Sequence, residues 1–482
     1  MAERLKPDIC VIGAGSGGLS VAAAAAAFGV SVVLVEKGKM GGDCLNTGCV
    51  PSKSLIAAAK RARAIAQGRN FGVCAPSLDV DFGQVHQHVR DVIAAIAPND
   101  SKERFTGLGV RLIEGAARFK DRKTVVVGEG TEIRARRFVI ATGSSPSLPP
   151  IPGLDTTAHL TTETVFDLTV RPEHLIVIGA GPIGLELAQA FRRLGAAVTV
   201  LEAAQPLARE DPECADVVLD ALVREGVDLR RGVSVVRVET QDSQEDSQGS
   251  KVKVVVRAGD AEQTIEGSHL LVATGRRANA DGLGLEKAGI KHDGNGIVVD
   301  ERLKTANKRV YAIGDVAGRG QFTHLANYHA GLVIRNALFR QRVEANEDLV
   351  PRVTFTDPEL AHVGLTEAEA RARGVKINVL RWPYHENDRA QAERDTLGHI
   401  KVVTNAKGRI LGATIVGASA GELITTWTLA ISQDLNIRAF TSIVIPYPTL
   451  AEIGKRAAIT YFIPGLTRNW VRRIVNLLRR LG

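Results

Sequence analysis

Two cysteines five positions apart, Cys44 and Cys49, stand in the stretch GGDCLNTGCVPSK, Gly41 to Lys53. A thiol pair can cycle between dithiol and disulfide, taking up two electrons and passing them on by thiol exchange. Three blander uses compete. Cysteines often serve as small buried residues. A zinc site needs further ligands, and no second Cys/His cluster follows, so no resident metal is expected. A structural disulfide is at odds with an N-terminus, MAERLKPDIC, that carries no export signal. The context favours redox chemistry. Gly41 and Gly42 admit a close backbone, Gly48 relieves crowding beside Cys49, and SLIAAAKRARAI continues as a helix. A cysteine near a helix N-terminus gains thiolate character from the helix dipole.

The elements before the pair are positioned by a glycine turn. Residues 8–36 read as a strand, the glycines Gly13, Gly15 and Gly18, an alanine-rich helix and a second strand ending at Glu36. This is a dinucleotide-binding pattern in full context: the glycines seat a pyrophosphate on the helix N-terminus, and the acid accepts from ribose hydroxyls. The pattern repeats at Gly179, Gly181 and Gly184 with Glu202, and in both copies the acid follows the third glycine by 18 residues. Two fingerprints imply two bound nucleotides. Glu202 favours NADH, with NADPH as the alternative donor because Arg209 lies close by in sequence.

Each nucleotide segment closes on a strand and a small-residue turn, Ala141-Thr142-Gly143 and Ala273-Thr274-Gly275. The proline-rich SSPSLPPIPGL reads as a stiff boundary, and the polar run 240–251 as an exposed hairpin loop. Asp315, expected at a strand end, is placed to bond a polyol hydroxyl. A helix starting at Thr323-His324 offers its N–H groups to an anion. From about Val350 the texture becomes α+β with no new fingerprint and reads as an interface domain.

Composition agrees with a globular α/β protein: 482 residues, 45% hydrophobic, 48 glycines. An aromatic fraction of 4% argues against stacking platforms for nucleic acid. The net charge is +8, of which five arginines after Gly465 supply +5 and everything earlier +3, so the basic excess is mainly a tail feature. No stretch is long enough to span a membrane, and a cytoplasmic location is expected.

Together these motifs resemble the class I pyridine nucleotide–disulfide oxidoreductases, over about Asp8 to Phe462. The resemblance implies two Rossmann-like domains, for FAD and NAD(P), and a C-terminal α+β dimerisation domain. The expected division is 1–152 and 279–349 for FAD, 153–278 for NAD(P), 350–463 for the interface and 464–482 for a tail. FAD would bind through Gly13, Gly15, Gly18, Glu36, Gly42, Thr142, Gly143, Asp315 and the helix start Thr323, His324 and Ala326. The nicotinamide nucleotide would bind through Gly179, Gly181, Gly184, Glu202 and Gly275. Cys49 would be the flavin-proximal thiol and Cys44 the interchange thiol. Lys53, paired with Glu186, would lie at the flavin N5 edge. A homodimer would bring the C-terminal motif of one subunit over the thiols of the other.

That motif, IPYPTLAEIGKRAA, departs from the family pattern. Lipoamide dehydrogenase and glutathione reductase place a histidine where Tyr447 stands, backed by a glutamate that is present here as Glu452. A phenol with a pKa near about 10 is a poor base at neutral pH. Tyr447 therefore argues against efficient turnover of lipoamide or glutathione disulfide. The resemblance implies a disulfide or thiophilic acceptor, with mercuric reductase-like metal reduction, dihydrolipoamide oxidation, quinone reduction direct from flavin, and non-enzymatic redox sensing as alternatives. The tail TRNWVRRIVNLLRRLG carries its apolar residues on one helical arc after a Pro464-Gly465 break. It reads as a helix docked on protein or lying against the inner face of a membrane.

Overall fold

Unbroken apolar runs such as ICVI and VVLVE suit parallel strands covered on both faces. A computed structural model describes residues 3–75, 77–128, 130–241, 251–466 and 469–480. Its contacts divide the chain into two compact units. One holds Met1–Gly179, Ala190–Leu201 and Val233–Glu347, and the other Ala180–Gln189, Glu202–Gly232 and Asp348–Gly482.

In the first unit, β1 (Ile9–Ile12), β2 (Val32–Glu36), β3 (Arg111–Glu114) and β4 (Arg137–Ile140) join one parallel sheet. Strands β5 (His174–Ile178), β6 (Ala197–Glu202) and β7 (His269–Val272) form another, with β5 between the other two. Strand β8 (Val310–Ala312) completes the first sheet in the order β8-β4-β1-β2-β3. One face, with Cys10, Ile12, Val33, Val35 and Phe138, packs against Phe119. The other packs Ile9, Val11 and Leu34 against helix α1 (Ser16–Ala27) and the helix Thr323–Ala337. Those helices approach closely at Gly17, where a Cβ would stand 3.2 Å from Ala326 Cβ. Two more helices, α2 (Gly42–Asn46) and α3 (Cys49–Gln67), carry the thiol motif, and Thr323–Ala337 is α4. The strands flanking the expected hairpin loop, Ser234–Gln241 and Lys251–Ala258, pair antiparallel, while residues 242–250 lie outside the described residues.

The second unit is built on an antiparallel sheet of β9 (Arg352–Thr354), β10 (Glu359–Gly364), β11 (Ile377–Pro383), β12 (His399–Asn405) and β13 (Ile410–Gly417), ordered β9-β10-β13-β12-β11. Its core stacks Trp427 on Phe440 with ring centroids 3.9 Å apart. A buried cation is fixed at its edge. Lys401 Nζ lies 2.8 Å from Asp211 Oδ2, 2.9 Å from Glu367 Oε2 and 3.1 Å from Glu213 Oε2.

After α5 (Glu452–Thr460) come α6 (Ile463–Leu466) and α7 (Asn469–Leu478). The sequence placed a break at Pro464-Gly465, but both residues lie inside α6. Proline is tolerated in the first turn of a helix, where its missing N–H has no intrahelical partner to lose. The tail residues Arg468 and Leu481 lie outside the described residues.

Candidate functional site

The thiol hairpin is held by its own side chains. Asn46 Nδ2 donates to Met40 O at 3.0 Å and to Gly42 O at 2.7 Å, and Thr47 Oγ1 donates to Asp43 Oδ1 at 2.6 Å. A Cβ at Gly48 would stand 3.0 Å from Asp43 O, so glycine permits the tight return between the cysteines. Cys44 is half-buried in α2, and Cys49 is exposed as the first residue of α3. Neither is in a disulfide in this structure. Thr323, the first residue of α4, sets its Oγ1 3.4 Å from Cys49 Sγ. The structure thus brings together the thiol motif and the helix start that sequence reading had assigned separately.

The two thiols are unequal. A hydrogen bond from Cys44 favours the thiolate of Cys49, and burial opposes it. Thr323 and the ammonium of Lys53 add to the stabilisation, which leaves Cys49 at about 6. Cys44 is pushed well above the usual thiol range by its bond to Cys49 and by burial. At neutral pH the pair is a Cys44 thiol donating to a Cys49 thiolate. In the fully reduced enzyme, iodoacetamide labelling of Cys49, followed by peptide mapping, should rise with a midpoint near pH 6 and fade below it. A midpoint in the ordinary range near about 8.5 would contradict the assignment. Cys10 and Cys214, whose thiols burial pushes up, should stay unlabelled.

A relay not expected from the sequence ties the hairpin to Asp315. Arg276, its side chain 10% exposed, pairs with Asp43 at 3.0 Å. Its Nε donates to Ser144 Oγ at 2.8 Å, and that hydroxyl donates to Asp315 Oδ2 at 2.6 Å. Burial pushes the Asp315 carboxyl up, and the Ser144 and Arg276 contacts only partly offset it. Asp315 lies on a 3-10 turn, Gly314–Ala317, rather than at a strand end. Thr142 Oγ1 already donates to Asn279 O at 2.8 Å. Asp43 stood inside the quoted thiol motif and Arg276 directly after the Ala273-Thr274-Gly275 turn, but only the fold joins them.

The glycine loops test whether a dinucleotide fits. A Cβ at Gly18 would stand 1.9 Å from Gly13 O, and one at Gly13 2.4 Å from Ala141 O, so those glycines serve the protein's own packing. At Gly15 the nearest protein atom to a Cβ is 4.0 Å away, and at Gly181 none lies within 4 Å. Those two glycines leave space, as a close-approaching pyrophosphate requires. Helix α1 has no side-chain cap and no acid in its first turn, and α4 shares both features. A Cβ at Gly42 would stand 2.8 Å from Gly15 Cα, so the thiol hairpin abuts the first loop. Gly143 and Gly275, both at positive φ, have no atom within 4 Å of a Cβ. His324 stacks against Phe322, and Ala326 is buried.

Glu36 and Glu202 do more than the sequence suggested. Glu36 accepts from Ala14 N at 2.5 Å and Gly38 N at 2.7 Å. Glu202 accepts from Ala180 N and Ala204 N, each at 2.8 Å. Each acid braces its own glycine loop, and its remaining lone pairs are available to ribose hydroxyls. The residues therefore fit two dinucleotides.

In the second unit Tyr447 is 70% exposed, and its hydroxyl donates to Asp388 Oδ2 at 2.7 Å. That bond raises the phenol further above its ordinary value. Glu452 opens α5. Glu186 is buried and accepts from Phe355 N at 2.8 Å. Gly184 is buried at the start of the helix Pro182–Arg193.

Family models described as "pyridine nucleotide-disulphide oxidoreductase" and as the dimerisation domain of those enzymes match residues 7–330 and 350–458. A mercuric reductase of Bacillus cereus is 37% identical over 457 residues, covering 94% of this chain and 71% of that one. A dihydrolipoyl dehydrogenase of Staphylococcus aureus is 34% identical over 461 residues, covering 94% and 96%. Among solved structures, the Cu(II) complex of the HOCl-induced flavoprotein disulfide reductase RclA from Escherichia coli superposes with a TM-score of 0.82 at 28% identity, covering 94% of this chain and 99% of that one. LpdA from Mycobacterium tuberculosis gives 0.85 at 27% identity, covering 95% and 99%.

Proposed function

The chain belongs to the pyridine nucleotide-disulphide oxidoreductases, and from that premise we propose that Cys44 and Cys49 are its working redox couple, discharged to a disulfide or a soft metal ion. It is an FAD-dependent enzyme with NAD(P)H as electron donor. The observation that carries the proposal is the unequal thiol pair beside Thr323 at the start of α4.

In this reading Gly13, Gly15, Gly18, Glu36, Gly42, Thr142, Gly143 and Asp315 hold FAD, with Thr323, His324 and Ala326 at its pyrimidine end. Gly179, Gly181, Gly184, Glu202 and Gly275 hold the nicotinamide nucleotide, NADH being preferred because of Glu202. The domain division is the one given from the sequence. Bound flavin supplies the two-electron exchange between nicotinamide and sulfur. The rest falls to the chain's own groups. Lys53 supports the Cys49 thiolate. As Cys44 attacks an acceptor disulfide, its proton passes to Cys49. Cys49 then attacks Cys44 sulfur. A Cys44–Cys49 bond forms, the acceptor's S–S bond breaks, and its two sulfurs leave as one thiol and one thiolate.

The leaving thiolate is where Tyr447 matters. Its proton is already engaged on Asp388 and its pKa is raised, so it is poorly matched to protonate a leaving sulfur. A metal ion held by two thiolates has no such need, and this favours a thiophilic metal ion as acceptor. A homodimer, supported by the matched dimerisation domain and by exposed Val444, Ile443 and Tyr447, would complete the site with Tyr447 and Glu452. Contact of residues 466–482 with a membrane surface also belongs to this proposal.

Tyr447→His tests the acceptor. Steady-state oxidation of NAD(P)H should show lipoamide turnover rising by about 10²-fold or more in the variant, the usual worth of a positioned acid. Turnover with Hg²⁺ should change little. Fast lipoamide turnover by the unaltered protein, unmoved by the substitution, would overturn the acceptor assignment.

A further inference from the structure

The tail helix α7 has a two-sided surface that the thiol chemistry does not use. From Arg472 to Arg480 every residue is exposed. At 100° per residue Trp470, Val471, Ile474, Val475, Leu477 and Leu478 fall within an arc of roughly 160°. Trp470, Leu477 and Leu478 are each nearly 60% exposed, and α6 adds Ile463 and Leu466. Arg472, Arg473, Arg479 and Arg480 occupy the opposite side with Asn469 and Asn476. No acid follows Glu452 anywhere in the chain.

We infer that α7 lies in the plane of an anionic lipid surface, with its apolar arc at the acyl boundary and its arginines among the headgroups. This deepens the membrane contact proposed above and is independent of the thiol reading. Two observations select lipid over a second copy of the chain. The matched dimerisation domain ends at residue 458, before α6 begins. The charge is of one sign throughout, which complements a uniformly anionic surface rather than a mixed protein face. The ten-residue helix is too short to cross a bilayer, and no helix among the described residues is long and apolar enough to do so. A wide apolar arc opposite clustered arginines, with a tryptophan at one end, is the composition of an interfacial helix. The long arginine side chains can reach past the helix body to phosphate groups.

The test uses the full-length, FAD-loaded protein and phosphatidylcholine vesicles with or without phosphatidylglycerol. Co-sedimentation should require phosphatidylglycerol and weaken with salt. Tryptophan emission should shift to the blue on binding, and Trp470→Phe should abolish that shift. The pair Arg479→Gln and Arg480→Gln, each worth about fivefold, should together weaken binding about 25-fold. The pair Leu477→Glu and Leu478→Glu should abolish binding while NAD(P)H oxidation and the solution mass stay unchanged. Equal binding to neutral vesicles, or binding to neither kind, overturns the inference. So does a fall in solution mass for the Leu477→Glu, Leu478→Glu variant without vesicles, since α7 would then seal the dimer. Unchanged turnover in all tail variants keeps the proposed redox function apart from this result.

Discussion

Cys44→Ser should lower NAD(P)H-dependent reduction of the acceptor, disulfide or Hg²⁺, by at least about 10³-fold, the scale expected when a covalent nucleophile is removed from a site that works as a unit. The variant should keep its FAD, because Cys44 stands on α2 and the glycine loops do not depend on it. Its Cys49 should also titrate higher than in the unaltered enzyme, since the hydrogen bond from Cys44 is the largest support of the Cys49 thiolate. Stopped-flow reduction of the flavin by NADH, read beside steady-state turnover, separates the two half-reactions. Flavin reduction should persist while acceptor turnover collapses. Quinone reduction surviving in Cys44→Ser at the level of the unaltered enzyme would show that electrons leave directly from flavin, and the dithiol assignment would fail.

The second large effect lies in the second unit. Lys401→Met should destabilise the fold by about 3–5 kcal/mol, because it leaves the nearly buried Asp211 facing Glu213 and Glu367 without its cation. Urea titration of the FAD-loaded protein at neutral pH measures this. The pH dependence follows from both partners. Burial works against the Lys401 charge, but bonds to Asp211, Glu367 and Glu213 overcome it and hold the ammonium above the usual lysine range. Its contribution is complete below the ordinary lysine pKa and is lost only as pH rises through the higher folded value. The Arg381 bond, and then Lys401, hold Glu213 down at about 2 against burial. Its contribution is complete above the ordinary carboxylate pKa and is lost as pH falls through about 2. The gap between Lys401→Met and the unaltered protein should therefore be constant from about pH 5 to 8 and shrink in acid. Adding Asp211→Asn should recover part of the loss. A Lys401→Met protein with an unchanged urea midpoint would show that the cluster holds nothing together.

Both glycine fingerprints were legible in the sequence because their logic is local. Strand, turn, helix and acid follow within 29 residues, 8–36 and 174–202. The thiol motif was legible for the same reason, being one hairpin bounded by Gly41 and Gly48. The Arg276 relay was not, because it joins Asp43, Ser144, Arg276 and Asp315 across more than 270 residues and none carries a local signal of its partner. Lys401 stands in the strand HIKVVTN with no sequence signal of its partners. Only the fold places Asp211 against it. The bracing of each loop by Glu36 and Glu202 was missed for another reason. An acid at that spacing already had a role, and sequence cannot show that one carboxylate serves two partners.

The sheet beneath the thiol hairpin takes its strands from far apart in the chain. Strands β1, β2, β3 and β4 are complete by Ile140, but the edge beside β4 is filled by Val310–Ala312. On a ribosome adding about 5–20 residues per second, the 172 residues between Ile140 and Ala312 take about 10–35 s to appear. Throughout that interval the nascent chain presents β4 as an apolar strand with one row of unpaired backbone groups, a template for pairing with another polypeptide. Nascent chains stalled shortly before Val310 should therefore be the most dependent on chaperones, and release past Ala312 should end that dependence.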